Sequence, residues 1–281
     1  AGAAAGAAAG AAAGAAVGAT AASRKSSAPD PSGGYEFSID DSSTPLRVRL
    51  DASDVRALRR LCDALARSLK KKVLAKKKLD ANSDAGAAAC LQYVKTVFLA
   101  NSDGGVCAKS GFDESCRELV EMDGMDDTER NTCSTLLQSL FFSFDRAEQS
   151  SVDVCEIING FSILCGGSKS TKLAFAFDVL DTKGKGALSR RSLWRFFRAF
   201  LTALCAFSFE SGADRDPHET GVAVDAAAIW TATKVFEKKE VDRANRATFN
   251  DIAQWYGEGG YTKAPWLELL DLRKWVHDDS Q

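Results

Sequence analysis

The sequence predicts an all-α protein made of repeated helix–loop–helix units, with short β-bridges between their loops. From Ala87 onward, apolar segments at helical spacing alternate with short loops rich in Asp, Gly and Ser. The long alternation of apolar and polar residues that is typical of strands is not found in this part of the sequence. Only five prolines occur in 281 residues, which leaves room for long helices.

Composition narrows the classes of function. Hydrophobic residues make up 45% and charged residues 26% of the chain, as in an ordinary globular protein, and the net charge of -2 gives no reason to expect nucleic acid as a partner. The eight cysteines form no CxxC pair and are expected to be reduced and buried in a cytoplasmic protein. No apolar run is long enough to cross a membrane. We find no nucleophile–histidine constellation and no phosphate-binding loop, so we do not expect an enzyme.

The first part of the chain divides into two predicted regions. Residues 1–50 start with an almost pure Ala/Gly tract and continue through a polar stretch rich in Ser, Pro and Gly, so we expect a disordered tail. Residues 51–86 are predicted to form a basic amphipathic helix, from about Ser53 to Leu79, and a linker.

The basic helix allows two interpretations. Its positive side chains lie between residues 56 and 78, and a helix of this kind can lie on an anionic membrane or fill a groove of another protein. Alternatively, its apolar stripe packs on the domain that follows, while the lysines stay in water. The stripe comprises Val55, Leu58, Leu61, Cys62, Leu65, Leu69 and Val73.

The clearest helix–loop–helix unit has its loop at residues 145–156. Phe141 and Phe144 precede this 12-residue polar loop. The spacing resembles an EF-hand, in which loop positions 1, 3, 5, 9 and 12 and the backbone carbonyl of position 7 surround a calcium ion. The candidate ligands at positions 1, 5, 7, 9 and 12 are Asp145, Gln149, Ser151, Asp153 and Glu156.

Two positions of this loop depart from the EF-hand pattern. Ala147 at position 3 has no oxygen to offer, and Ser150 takes position 6, where a left-handed turn favours Gly. We therefore expect weak metal binding by this loop.

A second copy of the loop, at residues 181–192, keeps the scaffold but not the ligands. Gly186 fills position 6 and Leu188 position 8, as in an EF-hand. Lys183 and Lys185 stand at positions 3 and 5, and position 12 is a serine. A fixed ammonium group repels a cation, so we expect this loop to be metal-free.

A third copy occupies residues 240–251. Its position 12 is an aspartate, which is one methylene shorter than the usual glutamate and reaches the ion less well, so magnesium or very weak calcium binding is expected. The candidate ligands are Glu240, Asp242, Thr248 and Asp251.

A fourth and fainter copy, at residues 100–111, lacks carboxylates at positions 1, 3 and 12 and is expected not to bind metal. EF-hands pair through position 8. This rule predicts that Cys107 faces Val152 and that Leu188 faces Ala247.

The whole plan resembles the neuronal-calcium-sensor and calcineurin-B-like groups of the EF-hand superfamily. It divides into one pair of hands at residues 87–165 and a second pair, with a C-terminal helix, at residues 166–281. The resemblance implies a regulatory or adaptor protein that binds Ca2+, opens an apolar groove and grips a partner helix. The alternative is a metal-independent interaction subunit that keeps the scaffold for its shape.

Two further segments are interpreted from their sequence. Residues 210–224, between the third and fourth hands, are polar and are expected to form a mobile surface loop. After the last hand, Pro265 suits the first turn of a helix. The apolar residues that follow it, Trp266, Leu269, Leu270 and Trp275, are expected either to cover the core or to act as a displaceable plug in the protein's own groove.

Overall fold

The computed structural model describes residues 34–208, 216–237, 245–274 and 276. Its first element is an antiparallel hairpin of β1 (Tyr35–Ile39) and β2 (Leu46–Leu50), with Phe37 opposite Val48. Alternate side chains of both strands are buried. The expectation of a disordered tail was therefore wrong for residues 34–50, and residues 1–33 lie outside the described part of the chain.

The first helix forms as the apolar stripe predicts. Helix α1 (Ala52–Leu69) is capped by Asp51, whose carboxylate accepts hydrogen bonds from the backbone of Ser53 and Asp54. A π-helical turn and the short α2 (Ala75–Lys77) continue it. Every residue of the stripe is buried, because α1 packs against the domain that follows.

Four helix–loop–helix units follow, each with a short strand in its loop. The first hand comprises α3 (Asp84–Ala100), β3 (Val106–Ala108) and α4 (Lys109–Leu119). The second comprises α5 (Asp127–Phe144), β4 (Ser151–Asp153) and α6 (Val154–Phe161). The third comprises α7 (Lys169–Leu180), β5 (Leu188–Ser189) and α8 (Arg190–Phe207). The fourth comprises α9 (Pro217–Glu237), β6 (Arg246–Ala247) and α10 (Phe249–Trp255).

The hands pair through their loops as predicted. In the first sheet β3 runs antiparallel to β4, with Cys107 opposite Val152. In the second, β5 runs antiparallel to β6, with Leu188 opposite Ala247. The all-α fold with short β-bridges is thus confirmed.

The hairpin, the helices and the C-terminal segment share one apolar core. Helix α8 contacts α5, α6 and α9, so the third hand joins the two pairs. After α10 come a π-helical turn, the short α11 (Tyr261–Lys263) and two 3-10 turns, Pro265–Leu270 and Leu272–Lys274. Among the described residues, no helix is both long and apolar enough to span a membrane.

The segment between the third and fourth hands departs from expectation. Asp216 caps α9 by accepting hydrogen bonds from the backbone of His218 and Glu219, and Pro217 stands in the first turn. Val224 is buried in the core. The prediction of a surface loop was therefore wrong for residues 217–224, and residues 209–215 lie outside the described ranges.

The basic face of α1 is partly tied to the protein itself. Arg60 forms a salt bridge of 3.3 Å with Glu129, and Lys71 pairs with Glu121. At the far end of the helix, Lys70 and residues 76–78 are exposed. The packing interpretation therefore accounts for the apolar stripe and part of the basic face.

Candidate functional site

The loop at residues 145–156 is closed by its own first residue. The Asp145 carboxylate is 6% exposed and accepts hydrogen bonds from the backbone N–H of Gln149 (2.9 Å) and of Ser150 (2.8 Å). Glu148 and Ser150 both adopt left-handed conformations, with φ of 52° and 54°. The loop therefore keeps its turn although position 6 is not glycine.

The next predicted ligands lie at the start of α6. Ser151 belongs to β4 and pairs with Ala108 of the neighbouring loop. Asp153 caps α6, because its carboxylate accepts from the backbone N–H of Cys155 (2.9 Å) and of Glu156 (3.1 Å). Both residues thus have structural partners within the paired loops.

Glu156, the residue expected to give two oxygens to an ion, faces α8 instead. Its side chain is only 4% exposed. The Nε atom of Arg195 donates to Oε1 at 2.7 Å, and the Nε atom of Arg198 donates to Oε2 at 2.9 Å. Burial alone would lower the pKa of Arg195, but the hydrogen bond to Glu156 and the nearby Asp153 hold that pKa above its ordinary value.

Four charged residues that sequence analysis missed complete this network. Arg195 also pairs with Asp153 at 2.6 Å. Arg146 forms a salt bridge of 2.8 Å with Asp225 on α9, and Arg198 lies 3.9 Å from the same carboxylate. The network therefore links the second loop to α8 and α9. No local sequence pattern marks it, since its members are brought together only by the packing of three units.

The loop of the third hand has the same closing hydrogen bonds. Asp181 accepts from the backbone N–H of Lys185 at 3.0 Å and of Gly186 at 2.6 Å. Position 12 is Ser192, whose backbone N–H is capped by Ser189. The absence of metal from this loop stays a prediction.

Only part of the fourth loop can be placed. Asn245 adopts the left-handed conformation at position 6, with φ of 47°. Thr248 and Asp251 cap each other at the start of α10: Thr248 N–H donates to Asp251 at 2.7 Å, and Asp251 N–H donates back to the Thr248 hydroxyl at 3.2 Å. Glu240 and Asp242 lie outside the described residues, so the ligand set of this loop stays a prediction.

The donors of the second loop, as placed, do not fit a calcium ion. Calcium needs six to eight oxygens, and the glutamate at position 12 normally supplies two of them. Both Glu156 oxygens are bound to arginines, and Ala147 supplies none. Within the described ranges, no cluster of three or more His, Cys, Asp or Glu side chains is arranged to hold a metal ion.

The C-terminal segment packs deep in the core. Trp266 is fully buried, with its ring 6.0 Å from that of Phe197 on α8. Lys172 on α7 is also fully buried and donates to the carbonyls of Ile163 (2.6 Å) and Leu270 (2.7 Å). Burial lowers the pKa of this lysine to about 8. A buried ammonium group thus ties the segment to the linker between the two pairs of hands.

A second polar contact holds the same segment at its rim. Glu268 accepts hydrogen bonds from the hydroxyl of Tyr256 at 2.6 Å and from Lys274 at 2.7 Å, and it also pairs with Lys169. Burial would raise the pKa of Glu268, but these hydrogen bonds lower it to about 2. The carboxylate is therefore ionised and fully engaged at neutral pH.

The four paired helix–loop–helix units have the arrangement of EF-hands. No family model matches the chain. A recoverin family protein of Dictyostelium discoideum is 26% identical over 117 residues, or 41% of this chain and 52% of that protein. Calcium-binding protein NCSA of the same organism is 28% identical over 93 residues, or 33% of this chain and 50% of that protein.

A third relative carries the name of a phospholipase. Phospholipase D B of Dictyostelium discoideum is 24% identical over 139 residues, which is 48% of this chain but 11% of that protein. The chain spans about half the length of the recoverin family protein and of NCSA. The predicted resemblance to the EF-hand superfamily, and to its neuronal-calcium-sensor group, is confirmed by these relatives together with the fold.

Proposed function

We propose that this chain is a non-enzymatic EF-hand regulatory or adaptor protein that holds a partner helix in an apolar groove. The observation that carries the proposal is the packing of the segment Pro265–Leu270 against α7 and against Phe197 of α8. A short apolar segment that follows the last hand occupies the surface on which a partner helix would lie. The cysteines among the described residues are free thiols, which supports the expected cytoplasmic location.

The chemistry of this surface indicates the kind of partner. Phe197 on α8 meets the C-terminal segment, with its ring 6.0 Å from that of Trp266, and Trp255 on α10 lies 6.4 Å from the Phe197 ring. Aromatic surfaces are stiffer than methionine-rich ones and accept fewer partners. The expected ligand is an amphipathic helix with one or two large apolar anchors.

The test is to loosen the segment in the full-length protein. Trp266→Ser combined with Leu270→Ser should expose the apolar surface and raise the fluorescence of a hydrophobic dye several-fold. Tyr261→Ser is the matched control, because this tyrosine is 49% exposed and lies just before the segment. A synthetic peptide of residues 264–276 should reverse the dye signal of the double variant.

Two outcomes decide whether the C-terminal segment covers an apolar groove. A helical far-UV spectrum with increased dye binding that the peptide reverses supports a displaceable occupant of a groove. Unchanged dye binding in a folded double variant contradicts the proposal, because no apolar surface would then lie beneath the segment.

Calcium responsiveness is a second candidate function, and the relative named calcium-binding protein NCSA favours it. The fourth loop is its best location in this chain, since Thr248 and Asp251 stand there at positions 9 and 12. The expected binding is weak, with calcium and magnesium competing. A calorimetric calcium titration at physiological magnesium should give heat that Asp251→Asn abolishes. If the parent protein gives no heat on titration, the alternative of a metal-independent interaction subunit is favoured.

The anionic membrane contact through residues 56–78 stays a prediction. The exposed Lys70 and residues 76–78 support it, because no salt bridge is found for them among the described residues. Co-sedimentation of the full chain with vesicles of anionic phospholipid, at two salt concentrations, tests this contact.

A further inference from the structure

We propose that Arg195 and Arg198 take the place of a calcium ion for Glu156, and that they lock the second hand in an arrangement that excludes the ion. The inference goes beyond the proposed function, which does not depend on metal at this loop. It assigns to two arginines of the third hand the role that an ion plays in other EF-hands.

Both carboxylate oxygens of Glu156 are engaged by the arginines. A glutamate at position 12 binds calcium only if both its oxygens turn toward the loop. Here each oxygen receives a separate guanidinium Nε, at 2.7 Å from Arg195 and 2.9 Å from Arg198, and a second nitrogen of Arg198 donates as well. The carboxylate is 4% exposed, so water competes little with these charge-assisted hydrogen bonds.

The two arginines also balance the charge of the ligand carboxylates. Asp153 at position 9 is bound by the same Arg195, at 2.6 Å. Two guanidinium groups therefore face two carboxylates at the start of α6, and they supply the two positive charges that a calcium ion would bring. An approaching ion would meet two fixed cations and would have to break four short contacts, three to Glu156 and one to Asp153, before it could gain these ligands.

The two arginines are held in place by their surroundings. They are spaced by one turn on α8 and so lie on the same face of the helix. The guanidinium of Arg198 stacks over the ring of Trp194 at 4.5 Å and lies 3.9 Å from Asp225 on α9. Helix α8 follows the loop of the third hand, so both arginines belong to the second pair of hands, whereas Glu156 belongs to the first pair. We call Arg195 and Arg198 together the clamp.

The experiment removes the clamp and looks for a new calcium site. The double variant R195Q/R198Q, in the full chain, should bind calcium at least tenfold more tightly than the parent, by calorimetry and by terbium luminescence. Adding Glu156→Gln to that variant should abolish the gain. R190Q/R191Q is the matched control, since it removes the same charge from exposed positions of the same helix and should give no gain.

Three results would overturn the proposal. One is a parent protein that already loses calcium binding on Glu156→Gln, because the ion would then reach this loop despite the arginines. Another is a folded double variant that binds calcium no better than the parent. The third is an equal gain in the R190Q/R191Q control. If the double variant loses its helical spectrum, Arg195→Gln alone carries the test by the same criteria. The dye experiment on the C-terminal segment is unaffected by any of these outcomes.

Discussion

The second and third hands have loops of nearly the same shape but different chemistry. In both, the aspartate at position 1 accepts hydrogen bonds from the backbone of positions 5 and 6. In both, positions 4 and 6 are left-handed: Glu148 and Ser150 in the second hand, Gly184 and Gly186 in the third. Only the second hand keeps a glutamate at position 12, and there arginines bind it.

The comparison shows that a loop of this kind can keep its shape without keeping its metal ligands. The third hand holds the turn although its position 12 is a serine, because the aspartate at position 1 and the pairing at position 8 suffice. The retained Glu156 of the second hand therefore has a different use, which is to fix α8 against α6.

The largest effect is expected at position 12. Glu156→Ala leaves two partly buried guanidinium groups without their carboxylate, so the free energy of unfolding should fall by about 3 kcal/mol. The equivalent change in the third hand, Ser192→Ala, should cost less than about 0.5 kcal/mol. Urea unfolding measures both. Equal losses of unfolding free energy in the two variants would mean that the contacts between Glu156 and the arginines do not stabilise the protein.

Sequence reasoning found the scaffold because the scaffold is local. Position 8 lies at a fixed distance from the start of each loop, so the facing pairs Cys107–Val152 and Leu188–Ala247 follow once the resemblance to EF-hands, which pair at position 8, is recognised. The hairpin was missed although its five-residue strands alternate in the pattern typical of strands. The neighbouring low-complexity tract led to the wrong prediction for those residues.

The arginine network could not be predicted in this way. Arg195 follows Glu156 by 39 residues and lies on a helix of another hand, so only tertiary packing brings the two side chains together. In sequence, Glu156 matches the position of a calcium ligand, and Arg195 is one of four arginines on α8. Physical arguments from spacing identify which residues occupy ligand positions, but they do not show which partner each residue finds.

A smaller effect is expected at position 1. Asp145→Ala removes two hydrogen bonds from a carboxylate that is 6% exposed, so the free energy of unfolding should fall by about 2 kcal/mol. Asp181→Ala removes the matching pair from a more exposed residue and should cost about 1 kcal/mol. Hydrogen exchange should speed up at the amides of Ser150 and Gly186, respectively. Unchanged exchange there would show that these carboxylates do not close the loops.

The smallest effect concerns the left-handed turn at position 6. Ser150 has a φ of 54°, which strains a residue with a side chain, whereas Gly186 has a φ of 66° without that cost. Ser150→Gly should therefore stabilise the protein by about 0.5–1 kcal/mol, and Gly186→Ser should destabilise it by about 1 kcal/mol.

Ser151→Gly is the matched control for this last pair, because Ser151 lies in β4 and not at one of the left-handed positions. Glycine weakens a strand, so the control should lower stability slightly. Thermal unfolding of the three variants tests whether the left-handed turn at Ser150 is strained. If Ser150→Gly and Ser151→Gly change stability in the same direction, the turn is not strained. Opposite signs would show that the second hand keeps a non-glycine turn at a cost in stability.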